Sequence, residues 1–202
     1  EDTSPMPDGE PFTVDFYQPS DGYGVSRLMY AVYGDGHPID TYYIPEALTA
    51  ANQSGEVKSV VARTAGGQVV CHEAFYRSSA PNPAMYEIGM GLTLPSYRGS
   101  LAFARCSSLL LSLLEEGTVS AAFGEAVCNH LHTQKACAHI KSIDTGLELD
   151  LMPGAVYAND TPDTGRIAVL DSFRSLVPKP HQVYVPERYE AIVRYLYDGF
   201  DD

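Results

Sequence analysis

The segment from Ala84 to Glu116 constrains the fold more than any other part of this chain. Ala84–Thr93 reads as a strand, and Pro95 breaks its ladder because proline has no N–H to donate. A turn containing Gly99 follows, and a long helix is expected from Arg98 to Glu116. Ala102, Cys106, Leu109 and Leu113 fall on one stripe of that helix, and Phe103, Leu110 and Leu114 widen it. Gly117 supplies the stop. A strand running straight into an amphipathic helix must bury both apolar surfaces together, which points to a sheet covered by helices.

The flanking sequence extends this layout. Phe12–Tyr17 alternates apolar and polar as a strand does, and Val25, Leu28, Met29 and Val32 recur at helical spacing within Gly24–Tyr33. Pro45–Asn52 opens a second helix with proline early in it. Lys58–Thr64 and Gln68–Arg77 are strands joined by the hairpin signal Ala65-Gly66-Gly67. Ala121–Val127 is a strand, Thr133–Ile140 a helix and Gly146–Met152 a strand. Ile167–Leu170 and Gln182–Val185 also read as strands, before a last helix from Pro186 to Tyr197 with Ile192, Tyr195 and Leu196 on its apolar side. The expected class is mixed α/β (α+β): a largely antiparallel sheet flanked by helices, with a C-terminal strand/helix extension. Asn159–Gly165 is polar and holds a proline, which suggests a core over 12–157 and an extension over 158–202 packing on the same domain. Residues 1–11 read as a mobile arm.

Composition narrows the function classes. The net charge of -13 over 202 residues argues against general nucleic-acid binding, which needs basic surface. No apolar run approaches the roughly 20 residues that span a bilayer, and no secretory leader is recognisable in the sequence that starts at Glu1. Cys71, Cys106, Cys128 and Cys137 form no C-x-x-C pair and sit in apolar stretches, as buried inert thiols do. The expectation is a reduced, cytoplasmic protein with no membrane partner.

The strand–turn–helix unit also has chemistry available to it. A helix start offers unpaired N–H groups and the positive end of the macrodipole, which together suit a pyrophosphate. Gly99 permits close backbone approach and Arg98 adds a fixed charge. Leu92-Thr-Leu94-Pro95-Ser-Tyr-Arg98-Gly99 resembles the entry to the GNAT (N-acetyltransferase) signature, in which a strand ending near Val-x-Pro precedes Arg-Gly-x-Gly-x-Gly/Ala and a helix. His130-Leu-His-Thr133-Gln134-Lys135 and Val183-Tyr184-Val-Pro186-Glu-Arg-Tyr189 are similar to stretches of a bacterial GNAT subgroup with His-x-x-Ser/Thr-Gln-Lys after the fifth strand.

The resemblance implies an acetyl-CoA or other acyl-CoA lying in a splay between the fourth and fifth strands. Its pantetheine arm would run along Leu92–Leu94, and its pyrophosphate would rest on Arg98, Gly99, Ser100, Leu101 and Ala102. His130 and Gln134 would lie beside the CoA arm or at the helix start. The sequence departs from the pattern at Leu101 and Phe103, where small residues are usual, and at Ala138, where an acid-catalyst tyrosine is usual.

Direct transfer to an amine needs a base for the incoming nitrogen and a partner for the developing oxyanion. Glu87 lies on the strand before the turn, and Glu73 and His72 lie on a neighbouring strand, where adjacency turns them to opposite faces. These three are the catalytic candidates. Glu125 reads as structural, Cys128 as a buried thiol, and Tyr30, Tyr33, Tyr42 and Tyr43 as packing or an acceptor wall. Cys128, His130, His132 and His139 match no standard zinc spacing, so no metal is expected. The expected function is acyl-CoA-dependent N-acyl transfer to a small-molecule amine or a protein lysine, by a chain that could pair as a homodimer. The alternatives are a degenerate module that binds or senses acyl-CoA without turnover, and a long-chain N-acyl amino acid synthase-like enzyme.

Overall fold

A computed structural model describes residues 4–78, 82–157, 165–175, 177 and 182–200. The chain forms β1 (Phe12–Phe16), α1 (Gly22–Tyr33), α2 (Pro45–Ser54), β2 (Val57–Thr64), β3 (Val69–Tyr76) and β4 (Met85–Thr93). It continues through α3 (Ala102–Glu115), β5 (Ala121–Val127), α4 (His132–His139), β6 (Ile143–Pro153), β7 (Arg166–Ser175) and α5 (Glu190–Tyr197). The β2–β3 hairpin closes at the expected glycines, where Gly67 at φ +80 donates its N–H to the Thr64 carbonyl.

Among the described residues the strands make one sheet of seven in the order β1-β2-β3-β4-β5-β7-β6. Every neighbouring pair is antiparallel except β4–β5, which is parallel. That parallel pair registers only Met85 with Ala121, Tyr86 with Ala122 and Glu87 with Phe123. Beyond Glu87, β4 runs on to Thr93 with no strand registered on its β5 side among the described residues. The sheet is thereby split at its centre.

Two apolar layers cover it. On one face, Val25, Leu28 and Met29 of α1 and Leu48 of α2 are fully buried. On the other, α3 buries Ala102, Cys106, Leu110 and Leu114, one side of the stripe legible in the sequence. Burying each such leucine contributes about 1.5–3 kcal/mol.

Helix α3 begins at Ala102 rather than Arg98. A 3-10 turn over Pro95–Tyr97 comes first, Arg98 is extended, and Gly99 takes φ +88, which a continuing right-handed helix cannot accommodate. Residues 4–11 lie against this turn: Ser96 Oγ donates to the Pro7 carbonyl at 3.1 Å and Tyr97 OH to the Glu10 carbonyl at 3.1 Å.

At the other end, β7 pairs with both β5 and β6, so the sheet is continuous across the boundary expected at 157/158. The polar stretch 158–164 lies outside the described residues. Residues 182–186 form no strand, a correction to the sequence reading; Pro186 closes that stretch and starts a 3-10 turn. Helix α5 keeps its apolar side outward, with Ile192 and Tyr195 exposed. No helix among the described residues is long and apolar enough to cross a membrane.

Candidate active site

The splay is set by a bulge in β4. His72 pairs with Leu92 but Ala74 pairs with Gly89, so β4 carries an extra residue there. Met90 absorbs it at φ +52, a left-handed conformation that is costly for a side chain with a Cβ. His72 holds this conformation. Its ring is fully buried, with Nδ1 2.9 Å from the Met90 carbonyl and Nε2 3.0 Å from Ser59 Oγ. A carbonyl only accepts, so Nδ1 carries the hydrogen and Nε2 accepts from the Ser59 hydroxyl. Ser59 in turn receives a bond from Asn52 Nδ2 at 3.2 Å, which ties the bulge to α2. Burial pushes the His72 pKa down to about 4 against the smaller upward pull of the Met90 carbonyl. His72, expected as a catalytic candidate, is a neutral strut inside the α1/α2 layer and does not line the cleft.

Glu73 faces the opposite layer. It accepts a 2.6 Å hydrogen bond from Ser107 Oγ on α3, and burial lifts its pKa to about 7, opposed by that bond. It too lies away from the cleft. A carboxyl raised above its unfolded value gives stability below about pH 4.5 that is lost as pH rises through about 7. Glu73→Gln is therefore expected to raise Tm at pH 8 and to change it little at pH 5. Thermal scans of both proteins at the two pH values check this.

Glu87 is the third candidate, and it lies in the cleft. A cavity of about 290 Å³ opens on the α1 face where β4 and β5 part, and Glu87 and Glu125 line it together with Tyr33, His37, Tyr76 and Tyr157. Glu87 is only 8% exposed and sits directly across from Tyr76 in the β3–β4 register. The Tyr76 hydroxyl donates to its Oε1. Burial raises the Glu87 pKa, hydrogen bonds from Tyr76 and Ser78 oppose this, and the charge of Asp171 adds to it. Glu125 is held at about 7, first by burial and then by Glu87, Asp171 and Glu148. Glu125, expected from the sequence to be structural, instead shares the cleft with Glu87. A hollow of similar volume, about 300 Å³, lies over α2 between Pro19 and Gln53, with Glu46 the one ionisable group among the described residues that line it.

The residues expected to grip a CoA divide into three groups. Leu92 and Leu94 are buried, and the Leu94 N–H donates to the Val70 carbonyl of β3. Arg98, Gly99, Ser100 and Leu101 form an exposed turn, and the space above Gly99 is open. Within that turn the Ser100 N–H already donates to the Tyr97 carbonyl and the Ala102 N–H to Ser100 Oγ, so two expected donors point inward. Phe103 lays its ring on Gly91 of β4, so a Cβ at 91 would sit 2.8 Å from the ring edge and push it aside.

On the far side of the splay, Gln134 Nε2 donates to the Val127 and His130 carbonyls, at 3.1 and 2.9 Å. It closes the β5–α4 turn. The His130 ring lies tilted against His132, with ring centroids 5.4 Å apart. Gln134→Ala is expected to lower stability by about 1–2 kcal/mol while shifting acetyl-CoA affinity less than threefold, measured by urea unfolding and calorimetry. Gly124 lies against Ile88, so the absence of a Cβ at 124 lets β4 and β5 meet at the apex of the splay. Cys128 is exposed, a correction to its reading as a buried thiol, and Cys71, Cys106 and Cys137 are buried. Among the described residues, no group of three or more His, Cys, Asp or Glu side chains is placed to hold a metal.

A three-stranded meander, a bulged fourth strand splayed from a parallel fifth, and a helix leaving the Arg-Gly turn together define the GNAT fold. No protein-family model matches the sequence, and no curated protein matches it. Solved structures do share the architecture. An N-acetyltransferase from Staphylococcus aureus Mu50 aligns at a TM-score of 0.66 and 11% identity over 83% of this chain and 100% of that one. A Salmonella typhimurium protein described as an acetyltransferase, solved with its cofactor acetyl-CoA, aligns at 0.64 and 14% over 87% and 100%. A ribosomal-protein-alanine N-acetyltransferase from Brucella melitensis aligns at 0.63 and 14% over 81% and 99%.

Proposed function

We propose that this chain is an acyl-CoA-dependent N-acyltransferase, with acetyl-CoA as donor and direct transfer to an amine. The observation that carries this reading is the split between β4 and β5 beyond Glu87, with a buried Glu–Tyr pair and a second carboxyl on its wall. The split provides a slot whose β4 side carries backbone groups for an extended pantetheine arm. The exposed turn at Arg98–Leu101 and the first turn of α3 would meet the pyrophosphate, with Gly99 as the open approach. Bound acyl-CoA supplies an activated thioester carbonyl.

The protein's own part is to orient the amine and move protons. Glu87 takes the proton released as the amine nitrogen bonds to the carbonyl carbon. Tyr76 fixes the Glu87 carboxylate in place by its hydrogen bond. As the C–S bond breaks, the thiolate needs a proton. Ala138 cannot give one, and we assign that role to Tyr157, which lines the cleft wall with Tyr33 and Tyr76 and whose phenol burial keeps protonated. The four free thiols accord with a reducing, cytoplasmic setting.

Ala138 also favours the second reading, a module that binds acyl-CoA without turnover. A thiol-release assay with acetyl-CoA and a panel of amines separates the two. Release that depends on amine supports the transferase. Binding of acetyl-CoA by calorimetry with no release from any amine supports the module, and no binding at millimolar acetyl-CoA contradicts both.

A further inference from the structure

We infer that the cleft selects a dicationic amine: an aliphatic diamine whose reacting nitrogen meets Glu87 while its second ammonium is held by Glu125, backed by Asp171. This rests on the transferase reading and names its acceptor class.

The wall chemistry carries the inference. Two carboxyl groups line the cavity, and no lysine or arginine does among the described residues. His37, the one imidazole among the described residues of the wall, has its pKa lowered by burial, which favours the neutral ring. Asp171 stands opposite Glu125 in the β5–β7 register, so the negative charge deepens behind that end of the cleft. An acceptor carrying its own carboxylate, such as an α-amino acid, finds no cationic side chain among the described residues of this wall to hold it. A monoamine forms no second ion pair at Glu125, so it binds more weakly than a diamine.

The spacing fits a short chain between two nitrogens. Glu87 registers with Phe123, and Glu125 lies two residues further along β5. That offset is roughly 7 Å along the strand, comparable with an extended four-carbon diamine. Tyr33 crosses Tyr157 edge to face at 6.0 Å and lies 4.9 Å from His37, so the wall offers aromatic surface to methylenes and cations alike. Tyr42 lies behind this wall: its side chain is 2% exposed, its hydroxyl has no hydrogen-bond partner among the described residues, and it is close enough to Glu87 for the two to interact electrostatically.

The test compares 1,4-diaminobutane, butylamine and glycine as acceptors with saturating acetyl-CoA, and titrates each amine calorimetrically without it. The expected result is a kcat/KM and an affinity for the diamine at least about tenfold above butylamine, with glycine neither bound nor acylated. Glu125→Gln is expected to shrink the diamine-to-butylamine ratio to below about threefold. Butylamine or glycine equal to the diamine in binding overturns the inference, as does an unchanged ratio in Glu125→Gln. Calorimetry reads the amine preference even if nothing is acylated. Thiol release and acetyl-CoA binding separately judge the transferase reading.

Discussion

Glu87→Gln is expected to lower the rate of amine acylation by about 10²–10⁴-fold while leaving acetyl-CoA affinity unchanged. Glutamine has nearly the same shape, and its amide oxygen still accepts the Tyr76 hydroxyl, so the cross-strand pair and the fold persist. What disappears is the proton acceptor beside the incoming nitrogen. Burial shifts the Glu87 pKa upward, so a base at this position works only once pH has risen past that raised value. The wild-type kcat/KM should therefore climb with pH toward neutrality, and the limb belonging to Glu87 should be missing in the variant. Steady-state kinetics across pH 5–9 with calorimetry of acetyl-CoA reads both halves. A loss of less than about threefold would remove Glu87 from the chemistry.

The second large effect is structural. His72→Ala is expected to cost about 3–5 kcal/mol of stability, because it opens a cavity under Tyr42 and leaves the Met90 carbonyl buried without its donor. The left-handed Met90 then loses the contact that holds it, the bulge relaxes, and acetyl-CoA affinity falls with it. His72 also shapes the acid limb of stability. Its folded pKa of about 4 lies below the unfolded value of 6.5, so its contribution is full above pH 6.5 and is lost as pH falls toward 4. That part of the pH dependence should vanish in the variant, and His72→Gln should recover some of the lost stability. Urea unfolding at pH 7.5 and pH 5 measures both. A change under about 1 kcal/mol at pH 7.5 contradicts the strut.

Much of the architecture was legible because its signals are local. Pro45, Gly67, Pro95 and Gly117 mark turns or helix ends, and the α3 stripe is a helical period that packing then uses. The helical period runs back to Arg98, four residues before α3 starts at Ala102, because a period does not reveal the left-handed Gly99 that interrupts it. Residues 182–185 alternate like a strand yet find no ladder, since pairing is decided by tertiary neighbours and not by period alone.

The site was less legible because its members meet only through register. Glu87 could be singled out by its place before the turn. Tyr76 could be found by counting back across the turn between β3 and β4, since the two residues are direct cross-strand partners. Glu125 and Asp171, 46 positions apart in sequence (171 − 125), come together across β5 and β7, and Tyr157 arrives from a 3-10 turn with no periodic signal. His72 and Glu73 were drawn in by residue type, although adjacency on one strand already sent them to opposite faces. Gln134 belongs to the motif but spends its donors on the β5–α4 turn. Titratable side chains in a half-buried sheet are frequent, and burial and partners decide which of them face the cleft.

The central claim is that acyl-CoA occupies the split between β4 and β5. A crystal structure of the protein grown with acetyl-CoA tests it most directly. The predicted result is density for an extended pantetheine arm beside β4 beyond Glu87, with the pyrophosphate at Gly99–Phe103 and the acetyl group facing Glu87. A split that stays closed to millimolar acetyl-CoA, or acetyl-CoA bound elsewhere on the molecule, would contradict it.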